Sequence, residues 1–135
     1  MKFNQLEDLI KNSTKILIMS HINPDGDALG STSSMYTIIY EKFKKTADIL
    51  VIGHLPNCYK FLPHIETAKF EFDTSMVYDL VITLDVASLD RLANHQILFD
   101  KAKNTINIDH HKTNNGFADI NIINPSASST GEVLL

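Results

Sequence analysis

His21-Ile22-Asn23-Pro24-Asp25-Gly26-Asp27 places one imidazole and two carboxylates in a single turn-forming stretch. The apolar run Lys15-Ile16-Leu17-Ile18-Met19-Ser20 precedes it. That run reads as a buried strand, because a strand covered on both faces is apolar throughout rather than alternating. Ala28-Leu29-Gly30-Ser31 follows and opens a helical pattern. A strand that hands three potential ligands to a Pro-Gly turn at the start of a helix points to a metal site at the carboxyl edge of a parallel sheet.

Outward from this stretch, the chain alternates helical and strand patterns. Phe3, Leu6, Leu9 and Ile10 recur at helical spacing, so residues 3–12 are expected to form an amphipathic helix over the sheet. A strand at 15–20 leads into a helix from about residue 27 to 43, with Leu29, Met35, Ile38 and Ile39 facing inward. Lys42, Lys44 and Lys45 close that helix, where its dipole favours cations; they read as a solvated end, with a phosphate patch as the alternative. Residues 47–52 suit a second strand, 56–62 a short helix opened by proline, and 69–72 a minor edge strand. The nearly all-apolar run 79–84 is a third strand, 88–102 suits one or two helices, 105–108 a fourth strand and 119–123 a fifth. No internal repeat, low-complexity tract or interdomain linker interrupts the pattern.

The fold expected is therefore α/β, a largely parallel sheet flanked by helices. The polar chemistry then falls after strand one (21–27), after strand three (Asp85) and after strand four (Asp109-His110-His111). The three groups meet at one edge if strands one, three and four are neighbours, an order the sequence leaves open.

Composition sets the class. The 135 residues suit one domain with a sizeable core, and 44% hydrophobic with 21% charged residues is ordinary for a globular protein. Cys58 stands alone, which rules out an intrachain disulfide and fits a reducing compartment. The N-terminus lacks a basic-then-apolar signal layout and no apolar run is long enough to span a bilayer, so no membrane partner and a cytoplasmic location are expected. The formal charge of −4 comes with no dense basic stripe for a long nucleic acid. Two divalent cations would cancel that charge, so an anionic substrate remains compatible with it.

Taken singly, each cluster has an ordinary explanation. Asn-Pro-Asp-Gly is a common turn, Asp27 suits a helix N-cap, and Asp85 suits a cap on the next helix. Three acidic or imidazole clusters in order, each ending an apolar strand, argue against coincidence. His54, His64 and His95 lie outside the clusters and read as surface or packing residues, Cys58 as a small packing residue, and Arg91 as a local partner of Asp90. At the far end, 125–135 reads as a loop, a cap and the first turn of an apolar helix, with capping-box spacing from Ser129 to Glu132. This pattern is expected of an N-terminal fragment of a longer protein.

The order H-x-x-x-D-x-D, a lone Asp ending a strand, then D-H-H resembles the DHH phosphoesterase superfamily over almost the whole chain, most specifically at 21–31. Together with Ser128-Ser129-Thr130-Gly131-Glu132, it is most similar to the nanoRNase/pAp phosphatase branch. The resemblance implies a dinuclear site, usually Mn²⁺ with Mg²⁺ as the alternative, in which His21, Asp25 and Asp85 hold one ion. Asp27, Asp85 and His110 would hold the other, with Asp85 bridging. It implies catalytic roles for Asp85, for His111 beside the phosphoryl oxygens or leaving group, and for Asp109 in orienting the site. His111, Ser129 and Thr130 are the implied substrate contacts, although Ser129 and Thr130 equally suit a helix cap, and Ser31 suits either a bond to a ligand or helix packing. A further ligand Asp beyond D-H-H has no match, since Asp119 opens a strand. The implied C-terminal substrate-binding domain is missing, so residues 1–135 read as a truncated catalytic, metal-binding domain.

The function implied is a manganese-dependent phosphoesterase acting on short oligoribonucleotides or small nucleotides such as pAp. A cyclic-dinucleotide phosphodiesterase or family II-type pyrophosphatase is the alternative within enzymes, and a metal- or nucleotide-binding module the alternative outside them. A homodimer is left open.

Overall fold

Residues 2–135 are described by a computed structural model. Every residue of β1 (Ile16–Met19) is buried, and its alternation explains why the sequence there is apolar without interruption. Ile16 and Ile18 point to the face covered by α1 (Lys2–Asn12) and α2 (Gly26–Phe43), among Leu6, Ile10, Leu29 and Ile39. Leu17 and Met19 point to the opposite face, among Val81, Leu92, Leu98 and Phe99. The second face is covered by a 3-10 segment, Leu89–His95, and by α3 (Gln96–Lys101).

The remaining strands are β2 (Asp48–Leu50), β3 (Leu80–Leu84), β4 (Asn104–Asp109) and β5 (Ile120–Ile123), followed by a short α4 (Thr130–Val133). They form one five-stranded sheet in the order β2-β1-β3-β4-β5, parallel throughout. The α/β expectation thus holds, and β1, β3 and β4 are consecutive neighbours. Their register pairs Met19 with Thr83 and Leu84 with Ile108, so the three strands end together. In a parallel sheet every such end lies on the same edge, which brings the segments after β1, β3 and β4 together.

Polar ties set the loops at both edges. At the start of the strands, Asp79 accepts from the amides of Thr14 and Lys15, each at 2.9 Å, and this holds its carboxyl down at about 2. Asp119 and Thr105 exchange bonds of 2.9 Å at this same amino edge. Asp119 therefore lies at the end of the sheet remote from the candidate ligands. Inside, the Thr83 hydroxyl donates to Asn107 Oδ1 at 2.8 Å, and Asn107 Nδ2 donates to the Val86 carbonyl at 3.2 Å. Both side chains are fully buried, so this pair fixes the chain just after β3.

Several local expectations are corrected. The 56–62 helix is only a 3-10 turn, Asn57–Tyr59, and Cys58 on it is exposed rather than packed. Of 69–72, only Lys69 pairs as a strand does, accepting from Val51 at 2.9 Å and donating to Ile49 at 2.8 Å; it covers part of the edge of β2. Ile38 is half-buried rather than core. Lys45 is neither a solvated end nor a phosphate site. Its ammonium donates to the carbonyls of Ile10, Lys11 and Ser13 at 2.9, 2.6 and 2.7 Å, capping the C-terminus of α1. His64 packs on Tyr36 and His95 on Phe72, with ring centroids 4.7 and 4.5 Å apart. No described helix is long and apolar enough to cross a membrane.

Candidate metal centre

The turn after β1 is built by main-chain bonds as much as by its Pro-Gly sequence. The Ile22 amide donates to the Arg91 carbonyl at 2.9 Å, and the Asn23 amide to the Ile52 carbonyl at 2.7 Å. Asn23 takes a left-handed φ of 52°, a conformation asparagine tolerates better than most residues. Asp25, not Asp27, is the N-cap of α2: its Oδ1 accepts from the Ala28 amide at 3.0 Å. Asp27 is thereby released from capping and sits on the first turn of the helix.

Asp85 directly follows β3 with a φ of 64°, and its amide donates to the Ile108 carbonyl at 3.0 Å. A left-handed non-glycine residue costs stability and persists where its surroundings hold it, as at functional sites. Here the conformation leaves the side chain between two imidazoles. Asp85 Oδ2 lies 3.4 Å from His21 Nε2, and Oδ1 lies 3.5 Å from His110 Nε2. Asp25 Oδ1 is 3.7 Å from His21 Nε2, and Asp27 Oδ2 is 3.5 Å from His110 Nε2. Two half-sites, His21–Asp25 and Asp27–His110, therefore share one buried carboxylate.

The donor set suits a divalent cation. Ligand atoms of His21, Asp25 and Asp85 lie within 4.8 Å of one another, as do those of Asp85, Asp109, His110 and His111. Carboxylate oxygens with a few imidazoles and no thiolate are a donor set for a divalent cation and unlike the cysteine sets of structural zinc. His21 Nδ1 lies 2.9 Å from the Ile22 carbonyl, which can only accept, so Nδ1 carries the proton and Nε2 faces the carboxylates. Its hydrogen bond to Asp85 raises the His21 pKa, against the effect of burial, so a proton and a cation compete for Nε2.

Asp109 belongs to the second cluster by distance, and each of its oxygens is engaged by a neighbouring side chain. It is fully buried, its Oδ1 is 2.6 Å from His111 Nδ1, and its Oδ2 accepts from Asn114 Nδ2 at 2.9 Å. Asp109 thus orients His111 and leaves Nε2 of that half-exposed ring available to the cavity.

The run 128–132 closes over the site from α4. The Thr130 and Gly131 amides donate to Asp27 Oδ2 and Oδ1 at 3.0 and 3.1 Å, and Ser31 Oγ adds a bond of 3.3 Å. Thr130 is fully buried and gives its hydroxyl to Asp85 Oδ1 at 3.1 Å. Ser129 Oγ accepts from the Glu132 amide at 3.1 Å as the N-cap. The return arm of the capping box goes to Ser128, whose amide donates to Glu132 Oε2 at 2.7 Å. Thr130 is committed to the carboxylates rather than to the cavity surface.

A cavity of ≈ 600 Å³ opens over the two half-sites, lined by His21, Asp25, Asp27, Asp85, Ala87, Arg91, His110 and His111. Another of ≈ 580 Å³ lies over 53–70 without a comparable cluster of ligand groups. Arg91 does not pair with Asp90, which accepts from the Ser88 hydroxyl instead. Sequence reasoning missed its place at the cavity, because nothing in Leu89-Asp90-Arg91-Leu92 marks it. The amide clamp on Asp27 was missed too, the only signal being the capping spacing of 129–132.

Comparison with known proteins matches residues 15–135 to the model of the DHH family, N-terminal domain. The chain is 28% identical over 119 residues to a bifunctional oligoribonuclease and PAP phosphatase of Thermus thermophilus, covering 88% of this chain and 35% of that protein. It is 27% identical to a cyclic-di-AMP phosphodiesterase of Listeria monocytogenes, covering 96% of this chain and 22% of that one. Among solved structures, an exopolyphosphatase-related protein of Bacteroides fragilis superposes with a TM-score of 0.89 at 28% identity, over 98% of this chain and 41% of that chain. The chain thus spans well under half the length of these relatives.

Proposed function

The chain belongs to the DHH family, and from that premise we propose that residues 1–135 form the metal-binding domain of a phosphoesterase acting on short oligoribonucleotides or small nucleotides such as pAp. The observation that carries this reading is Asp85, whose two oxygens face His21 and His110 at 3.4 and 3.5 Å. A buried carboxylate shared between two such groups suits a bridging ligand. His21, Asp25 and Asp85 would hold one Mn²⁺; Asp27, Asp85 and His110 would hold the other. Bound there, two divalent ions supply an activated water and charge neutralisation at the phosphorus.

The chain's own groups do the rest. Asp109 fixes His111 through Nδ1, so His111 can hold or pass a proton at Nε2, toward the phosphoryl or leaving oxygen. The α4 amides and Ser31 hold Asp27 in place, and Thr130 holds Asp85. Family membership and the named relatives support hydrolysis of a phosphate ester; the choice of manganese and of pAp-like substrates is our reading. Selection among nucleotides falls to a further domain, as the greater length of the relatives suggests.

The test is thermal unfolding of the chain with Mn²⁺, then with Mn²⁺ and pAp, with product analysis. A ligand that binds only the native state raises the melting temperature. Upward shifts with metal and again with pAp are expected; no shift with either overturns the proposal.

A further inference from the structure

We propose that Arg91 binds a phosphoryl group of the substrate at the metal cavity. The inference rests on the phosphoesterase reading and adds to it a residue outside the metal-ligand clusters. Three aspartates and three histidines line the cavity, and Arg91 is the only lysine or arginine among its described lining residues. A phosphate ester entering beside those carboxylates meets one permanent cation of the protein's own.

Arg91 is also placed as a binding residue rather than as a loose surface arginine. Its carbonyl accepts from Ile22, next to His21, at 2.9 Å, and its amide donates to the Ser88 carbonyl at 3.1 Å. The adjoining Leu92 is fully buried, and Ala93 bends the chain with a φ of 50°. The backbone is thus tied to the metal-ligand loop while the residue remains exposed.

No described carboxylate forms an ion pair with it. The carboxylates at this cavity, Asp25, Asp27 and Asp85, instead lie within 4 Å of the imidazoles of His21, His110 and His111. A guanidinium left unpaired beside a cluster of engaged aspartates suits an incoming oxyanion, which it contacts through two parallel N–H donors.

The test uses inorganic phosphate as the probe. Phosphate binding to the Mn²⁺-loaded chain is measured by calorimetry for the unaltered protein, Arg91→Gln and Arg91→Lys, after Mn²⁺ binding to each. Unchanged Mn²⁺ affinity is expected in all three, with phosphate binding about tenfold or more weaker in Arg91→Gln. Arg91→Lys should fall between, since lysine keeps the charge and loses the fork. Unchanged phosphate affinity in Arg91→Gln overturns the inference while leaving the phosphoesterase reading intact. Loss of Mn²⁺ binding in that variant also overturns it, by showing a structural role. Failure of the unaltered chain to bind Mn²⁺ overturns the phosphoesterase reading itself, and the inference with it.

Discussion

Replacing Thr130 with Val removes one oxygen and almost no volume. Thr130 is fully buried, its hydroxyl donates to Asp85 Oδ1 at 3.1 Å, and its amide donates to Asp27. Thr130→Val therefore leaves the amide bond and deprives a buried carboxylate of one donor. Hydrogen bonds to charged groups contribute about 1.5–3 kcal/mol. The lower end applies here, because His21 and His110 remain beside Asp85. In a chain of this size that is a fall of about 5 °C in Tm. Groups that orient a metal ligand typically change metal affinity about 10–100-fold, so Mn²⁺ binding should weaken by that range. Thr130→Ser is the complementary change: it loses a buried methyl, about 0.8 kcal/mol, but keeps the donor. Urea titration in EDTA and Mn²⁺ calorimetry together separate the two variants. A Val variant that binds Mn²⁺ as tightly as the unaltered chain, or a Ser variant that loses affinity equally, would refute the positioning role.

Three further predictions concern the scaffold. Lys45→Met removes three bonds to carbonyls at the end of α1 and should cost about 1–2 kcal/mol, with faster amide exchange confined to that helix. Burial lowers the His95 pKa below its ordinary value, with its ring nitrogens shielded from water. The unfolded chain therefore takes up that proton first, so stability is full above about pH 6.5 and declines as pH falls below it. His95→Phe should flatten that decline in urea midpoints taken between pH 7.5 and 5, and an unchanged slope would contradict the assignment. Asp79 has the opposite arrangement with the same direction of loss: its carboxyl is held at about 2 by the Lys15 and Thr14 amides. Its contribution is present above the usual carboxylate range and disappears as pH falls toward 2, so Asp79→Asn should narrow the gap between urea midpoints at neutral pH and at pH 2.5.

The legible parts of this chain were those where one physical rule dominates. β1 and β3 are covered by apolar side chains on both faces, so their sequences are nearly unbroken apolar runs, while β4 alternates Ile106 and Ile108 with the buried polar Thr105 and Asn107. The polar residues immediately after those runs then had to gather at one edge once the strands proved adjacent. The 53–78 region was read poorly because its backbone bends through 3-10 turns and a single bridge at Lys69, which leave no periodic signature. Asp27 reads as the cap from the sequence and Asp25 holds that place, since both are aspartates and only the exact start of the helix separates them. Lys45, Arg91 and Thr130 act through partners 32 to 103 positions away in the chain or across a cavity, and no local pattern encodes such contacts. For Lys45 the closest such partner is Ser13.

The central claim is that one carboxylate serves two cations. Calorimetric titration of Mn²⁺ into the unaltered chain and into Asp85→Ala tests it directly. Because Asp85 faces both His21 and His110, its removal should abolish binding at both half-sites together. An Asp85→Ala protein that retains the stoichiometry and affinity of the unaltered chain would contradict the shared-ligand site.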